Sequence, residues 1–161
     1  MTAKPMKRRA ILAFVQDKPG TLNKISMLIR RKMYNVDTLT VCKAKSPGVS
    51  RMTITLREDD EAKVIQVIRQ IEKFTEVIRA KELDREHSYW REVAIVKFEL
   101  EGKQFEKLQK KYYLELLDTQ PHDIHIVQIA GPTDRLDAFL KDVGDEHLIE
   151  IARTGVTAMD K

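Results

Sequence analysis

The chain has 161 residues, 42% hydrophobic and 34% charged, with a formal net charge of +4. That balance argues against a disordered or membrane-embedded chain, and the length permits one domain or two small ones. No apolar run approaches the ~18 residues of a membrane-spanning helix, and Met1 to Arg9 is basic without the apolar stretch of a secretion signal, so the chain reads as cytoplasmic.

The one dense basic cluster is Lys4, Lys7, Arg8 and Arg9, which reads as a solvated N-terminal arm, with residues 1–7 assigned to it. Arg9 to Val15 is mostly apolar, as in a central strand, and Gln16-Asp17-Lys18-Pro19-Gly20 breaks it with turn chemistry. Leu22, Ile25, Leu28 and Ile29 then fall at helical spacing, opposite Asn23, Lys24, Arg30 and Arg31, which predicts an amphipathic helix ending near Tyr34-Asn35. Val36 to Lys43 is rich in β-branched residues, Ser46-Pro47-Gly48 is a turn, and Arg51 to Leu56 alternates with period two, so a hairpin is expected. Cys42, the single cysteine, reads as a small buried hydrophobe within it. Asp59, Asp60 and Glu61 favour a helix N-terminus, Val64, Val67, Ile68 and Ile71 supply its apolar stripe, and Phe74 to Leu83 forms a last strand. Residues 8–83 thus follow the β-α-β-β-α-β, ferredoxin-like order.

Residues 84–90 read as a polar linker, beyond which the order repeats. Arg91 to Leu100 is a strand, Lys103 to Lys111 a short helix, Tyr113 to Thr119 a strand, Pro121-His122-Asp123 a turn, and Ile124 to Ala130 another strand. Pro132-Thr133 opens a helix with Leu136, Phe139, Leu140 and Val143 on one face and Thr133 as its N-cap, and His147 to Arg153 closes the unit. The fold class is therefore α+β: two tandem ferredoxin-like βαββαβ domains, 8–83 and 91–157, with a tail at 158–161. Two helices cover one face of each small sheet, so the other face and the edges need cover, for which self-association is the usual remedy.

Little of the sequence suggests chemistry. There is no phosphate loop of the Gly-Lys-Ser/Thr type and no dinucleotide fingerprint after the first strand. His122 and His125, three apart on an extended segment, project to opposite faces and do not chelate one ion. His87 and His147 read as surface histidines, and Asp59, Asp60, Glu61, Asp142 and Asp145 as solvated charge. The loop from Asp17 to Gly20 differs, because a Pro-Gly turn before a helix offers free backbone N–H groups at the positive end of the helix dipole, suited to a carboxylate. Asp17 beside it suits an ammonium, and Asn35 adds an amide, which together describe a receptor for an amino-acid zwitterion. The same residues equally suit an ordinary turn, with Asp17 as a cap and Asn35 as a helix stop, and chemistry alone leaves both readings open.

Seven segments carry a resemblance. Gln16-Asp17-Lys18-Pro19-Gly20-Thr21-Leu22, Tyr34-Asn35-Val36-Asp37-Thr38-Leu39-Thr40-Val41 and Ser50-Arg51-Met52-Thr53-Ile54 resemble the N-terminal ACT domain of acetohydroxyacid synthase (acetolactate synthase) small subunits. Arg91 to Lys97, Val127 to Gly131, Leu136 to Leu140 and Ile149 to Val156 are similar to that family's C-terminal, ACT-like domain, in the same order. The resemblance implies a non-catalytic regulatory subunit, homodimeric through its ACT domains. It implies activation of a large catalytic subunit that carries thiamine diphosphate (ThDP), a divalent metal and FAD. It also implies feedback inhibition by a branched-chain amino acid, commonly valine, in valine, leucine and isoleucine synthesis. By position, Asp17, Gly20 and Asn35 match the family's effector-binding positions, with Thr21 and Val36 beside them, and no catalytic or metal-binding residue is implied.

The chain departs from the family pattern at Met33, where a glycine is usual after the first helix, and at Asp17, where asparagine is familiar. The segment from Leu100 to Leu114 is short, and so is the tail after Val156. A free-standing amino-acid-sensing ACT protein with another target shares the Asp17 to Gly20 site. RNA-recognition motifs share the element order, but their third strand carries stacking aromatics, and Arg51 to Leu56 has none.

Overall fold

A computed structural model describes residues 6–161; Met1 to Pro5, including Lys4 of the expected basic arm, lie outside the described residues. The chain runs β1 (Arg8–Gln16), α1 (Thr21–Arg31), β2 (Val36–Lys43), β3 (Val49–Arg57), α2 (Glu61–Ile71), β4 (Val77–Leu83), β5 (Ser88–Glu99), α3 (Gly102–Tyr112), β6 (Glu115–Gln120), β7 (Ile124–Gly131), α4 (Thr133–Val143), β8 (Leu148–Arg153) and β9 (Thr157–Asp160). Two units result, one of residues up to Tyr89 together with 156–161, the other Trp90–Gly155. The ferredoxin-like order is present twice, with antiparallel sheets ordered β2-β3-β1-β4 and β6-β7-β5-β8; β9 pairs with β5.

In the first unit, alternation along β1 sends Ile11, Ala13 and Val15 into a core with Ile25 and Ile29 of α1, Met52 and Ile54 of β3 and Val64 and Ile71 of α2. Burying each large aliphatic side chain contributes roughly 1.5–3 kcal/mol. Asp60 caps α2 by accepting from the Ala62 N–H at 2.9 Å. Arg8 and Arg9 are not part of a solvated arm. Arg9 is 6% exposed and donates to the carbonyls of Glu58 and Asp59 and to the Glu82 carboxylate, a shell of acceptors that pulls the cation into the sheet. Cys42 is exposed rather than buried, because β2 is an edge strand and none of its residues is buried.

Helix α1 ends at Arg31, short of the expected Tyr34-Asn35. Past the Lys32 cap, Met33 takes a left-handed φ of 60°, its N–H donates to the Arg30 carbonyl at 2.9 Å, and the Tyr34 N–H reaches back to the Ile29 carbonyl at 3.3 Å. That is the paired-bond stop that glycine usually makes, with Tyr34 packed on the core.

The second unit has an aromatic core in which Phe98 meets Phe139 edge-on at 5.9 Å. His125 lies within it, stacked on Phe105 at 3.9 Å with Nε2 3.1 Å from the Leu100 carbonyl; His122 sits in the preceding turn with φ 67°, not on the strand. Thr133 is not the N-cap of α4. Pro132 holds that position, and the Thr133 hydroxyl donates to the buried Glu92 carboxylate, which Arg153 Nε also meets. Asp142 is not merely solvated: it accepts from Lys111 Nζ and from the Tyr112 hydroxyl, each at 2.6 Å.

Two outcomes follow from this geometry. Met33→Gly removes a left-handed strain of about 1–2 kcal/mol and adds glycine's unfolded-state entropy of roughly 0.5–1, so urea denaturation should show a net gain of about 0.5–1 kcal/mol. The hydrogen bonds from Lys111 and Tyr112 hold the Asp142 carboxyl below its ordinary 3.8. A depressed folded value means that the contribution is fully present above the unfolded value and is lost as pH falls through the folded one. Comparing Asp142→Asn with the parent should therefore give a difference of less than about 1 kcal/mol, constant from about pH 5 to 7 and shrinking in more acidic buffer.

A candidate effector site at the first turn and the start of β2

The turn between β1 and α1 is built by short-range bonds. The Lys18 N–H donates to the Gln16 carbonyl at 2.9 Å, the Asp17 N–H to the Gly48 carbonyl at 2.9 Å, and the Thr21 hydroxyl to the Gln16 carbonyl at 3.3 Å. Gly20 is the N-cap of α1 with φ 88°, a left-handed angle that lets the chain enter the helix without a side chain at the mouth. No side chain caps this end. The first-turn N–H groups have no intrahelical acceptors and carry the positive end of the dipole, so this end suits a carboxylate. Asp17 is exposed, and its carboxylate has no partner among the described residues; Thr21 is buried.

Asn35 and Val36 stand beyond the other end of α1. Asn35 is exposed, and Val36 is half-buried against the core. Register breaks between Val36, opposite Leu56, and Thr38, opposite Thr55, so Asp37 sits at a bulge. Arg57 Nε at 2.9 Å and Arg8 Nε at 3.3 Å clamp the Asp37 carboxylate. Asn35 lines two shallow surface cavities. One, of about 480 Å³, is shared with Lys32, Met33, Tyr34, Arg57 and Glu58; the other, of about 490 Å³, is shared with Ser26, Arg30 and Val36. Burial, and then the Glu58 carboxylate that its hydroxyl meets, push the Tyr34 phenol above its ordinary 10.0, so it faces the first cavity as a neutral group.

Of the five residues singled out from sequence, the structure therefore brings Asp17, Gly20 and Thr21 together in one turn and sets Asn35 beside Val36 in another place. Neither cavity beside Asn35 includes any of the first three. The Asp37 bulge and its two arginines escaped sequence reading because residues 8, 37 and 57 meet only through strand pairing. Among the described residues, no group of three or more His, Cys, Asp or Glu side chains stands where it could hold a metal ion.

Comparison with known proteins decides what this fold belongs to. Residues 11–79 match the family described as "AHAS small subunit-like ACT domain", and residues 91–161 match "Small subunit of acetolactate synthase". A protein of Methanothermobacter thermautotrophicus named "Probable acetolactate synthase small subunit" is 32% identical over 94% of this chain and 91% of its own length. The chain belongs to the acetolactate synthase small-subunit family. The "Acetolactate synthase isozyme 3 small subunit" of Salmonella typhimurium is 31% identical, with 96% of each chain covered. A crystal structure of the acetolactate synthase small subunit from Thermotoga maritima superposes with a TM-score of 0.86 at 26% identity, covering 97% of this chain and 98% of that one.

Within this family member, the demand on Gly20 is conformational. A Cβ added there meets nothing within 4 Å, so the cost of Gly20→Ala is the positive φ, offset in part by the unfolded-state entropy that alanine removes. Urea denaturation should show a net loss of about 0.5–1 kcal/mol.

Proposed function

We propose that this chain is the regulatory subunit of acetohydroxyacid synthase. In this reading it has no catalytic activity of its own. It activates a large catalytic subunit, in which ThDP, a divalent metal and FAD reside, and transmits feedback inhibition by a branched-chain amino acid, with valine the first candidate. The observation that carries the reading is a family match over both units joined to an uncapped helix end behind a left-handed glycine, which suits an amino-acid carboxylate. The Asp17 carboxylate would then take the ammonium group, and the Asn35 amide, from the other group of residues, would complete the polar contacts.

In this reading the two residue groups close around one small ligand from two copies of the chain, paired as a homodimer through the ACT domains. The edge strand β2 supports the same pairing, because it offers an unpaired ladder and exposes Leu39 and Val41. The effector would act by favouring one arrangement of the pair over another.

Reconstitution tests the reading directly. The purified chain should form no acetolactate alone, should raise the rate of its cognate catalytic subunit, and should make that rate sensitive to valine, leucine or isoleucine. Asp17→Ala and Asn35→Ala should weaken effector binding at least about tenfold, the cost of losing one charged hydrogen bond, while activation persists. A mixture in which neither rate nor amino-acid response changes would falsify the assignment.

A further inference from the structure

Residues 156–161 do not trail into solvent. They cluster with the first unit, where Val156 is 0% and Ala158 4% exposed. The Val156 N–H donates to Thr38 Oγ1 at 3.2 Å, Thr40 Oγ1 donates to the Val156 carbonyl at 3.0 Å, Arg51 donates to the Ala158 carbonyl, and Lys81 pairs with Asp160. Thr38 and Thr40 lie on β2, Arg51 on β3 and Lys81 on β4, all on the sheet face away from the helices. The tail thus crosses the sheet from one edge to the other. The lengths agree, since the four steps from Val156 to Asp160 extend about 13 Å and three inter-strand spacings come to about 14 Å.

The anchoring point is chemically specific. Thr38 and Thr40, two apart on one strand, place their hydroxyls on the same face, where one accepts from and the other donates to the same residue of the tail. They also lie just past the Asp37 bulge, two and four residues beyond Val36, on an edge strand of the sheet. As an edge strand, β2 has a ladder only with β3.

We infer that Thr38 and Thr40 are positioning residues that latch the C-terminal tail onto the first unit, and that tail docking is linked to occupancy of the effector site at Asn35 and Val36. This rests on the effector reading given above. The docked tail orders the first half of β2 and so pre-forms that side of the site. By reciprocity, an amino acid bound there holds the tail down. Gly155, at φ 83°, and Thr154 connect β8 to the tail.

The test uses the full-length chain, with L-valine, L-leucine and L-isoleucine as probes at millimolar concentration. Thr40→Val is the cleaner variant, because Thr38 Oγ1 also meets the buried Thr55 hydroxyl at 2.6 Å, which a valine at 38 would orphan. In the parent chain, the bound amino acid should slow hydrogen exchange of amides 157–160. Thr40→Val should speed that exchange and weaken amino-acid binding about tenfold by calorimetry, while Thr40→Ser, which keeps the hydroxyl, behaves as the parent. A chain ending at Gly155 sets the undocked limit and should show at least the same loss of affinity, and far-ultraviolet circular dichroism of each variant separates a lost latch from a lost fold. Unchanged tail exchange in Thr40→Val would refute the latch, and faster exchange with unchanged affinity would refute the linkage. If no probe binds the parent chain, the effector reading falls and takes the linkage with it, while exchange in Thr40→Val still decides the latch.

Discussion

The sheet of the first unit has two faces and two helices, and both helices lie on one side. Ala10, Leu12, Thr53, Thr55 and Leu83 project to the other face, and each is at most 3% exposed. Left in water, this row of apolar and hydroxyl side chains would make the unit marginal, since a domain of this size has little burial to spare. Residues of the chain's own C-terminus lie over that face, held by threonine hydroxyls, an arginine and a lysine rather than by a full strand ladder. Much else depends on that cover. It explains why a six-residue segment belongs structurally to a unit it follows by more than sixty positions, and it occupies the face on which an RNA-recognition sheet would stack bases.

The order of elements was legible because each depends on local chemistry. Period-two alternation in β3, the apolar stripe of α2 with its Asp60 cap, and the Pro-Gly turn before α1 place themselves without tertiary information. The resemblance to acetolactate synthase small subunits and the paired ferredoxin-like fold are both borne out. What failed was environment rather than element. Cys42 was read as buried from its β-branched neighbours, but burial in a sheet depends on strand order, and β2 lies at the edge. Arg9 was read as solvated from its basic neighbours, but its acceptors come from residues 58, 59 and 82. The tail was likewise invisible as a strand, since β9 is four residues long and its partners lie far back in the sequence. The candidate site divides in the same way. Its turn is local and was legible, whereas the bulge and clamp at Asp37 exist only once three strands have paired.

Left-handed backbone marks where local preference gave way. Gly20 and Gly48 adopt positive φ without a side chain to strain, one at the mouth of α1 and the other in the hairpin turn. Met33 and Tyr113 do so with side chains, each just past the first helix of its unit, and they are 90% and 84% exposed. At such positions a long side chain adds strain without adding burial, so helix termination and not packing sets the backbone there. In the first unit that termination fixes where β2 begins, because the Tyr34 N–H bond to Ile29 turns the chain and sets Asn35 and Val36 at the strand's start.

A sensor needs two states close in free energy, because a ligand shifts an equilibrium only by its difference in affinity between them. Strand β1 does not provide that. It is paired on both sides, and Ala10, Ile11 and Ala13 are wholly buried, so displacing it forfeits the core. Strand β2 is paired on one side and bulged at Asp37, and its ladder with β3 is supplemented by a hydroxyl contact at Thr38 and an ion contact at Asp37, each contributing on the order of 1 kcal/mol. Under the proposed reading, the effector would touch both kinds of structure, the rigid turn after β1 through Gly20 and the yielding start of β2 through Asn35. The first supplies a fixed place for the carboxylate, and the second supplies the part that can answer to it. Moving the site wholly onto β1 and α1 would keep a binding pocket and lose the element whose equilibrium the bound amino acid could bias.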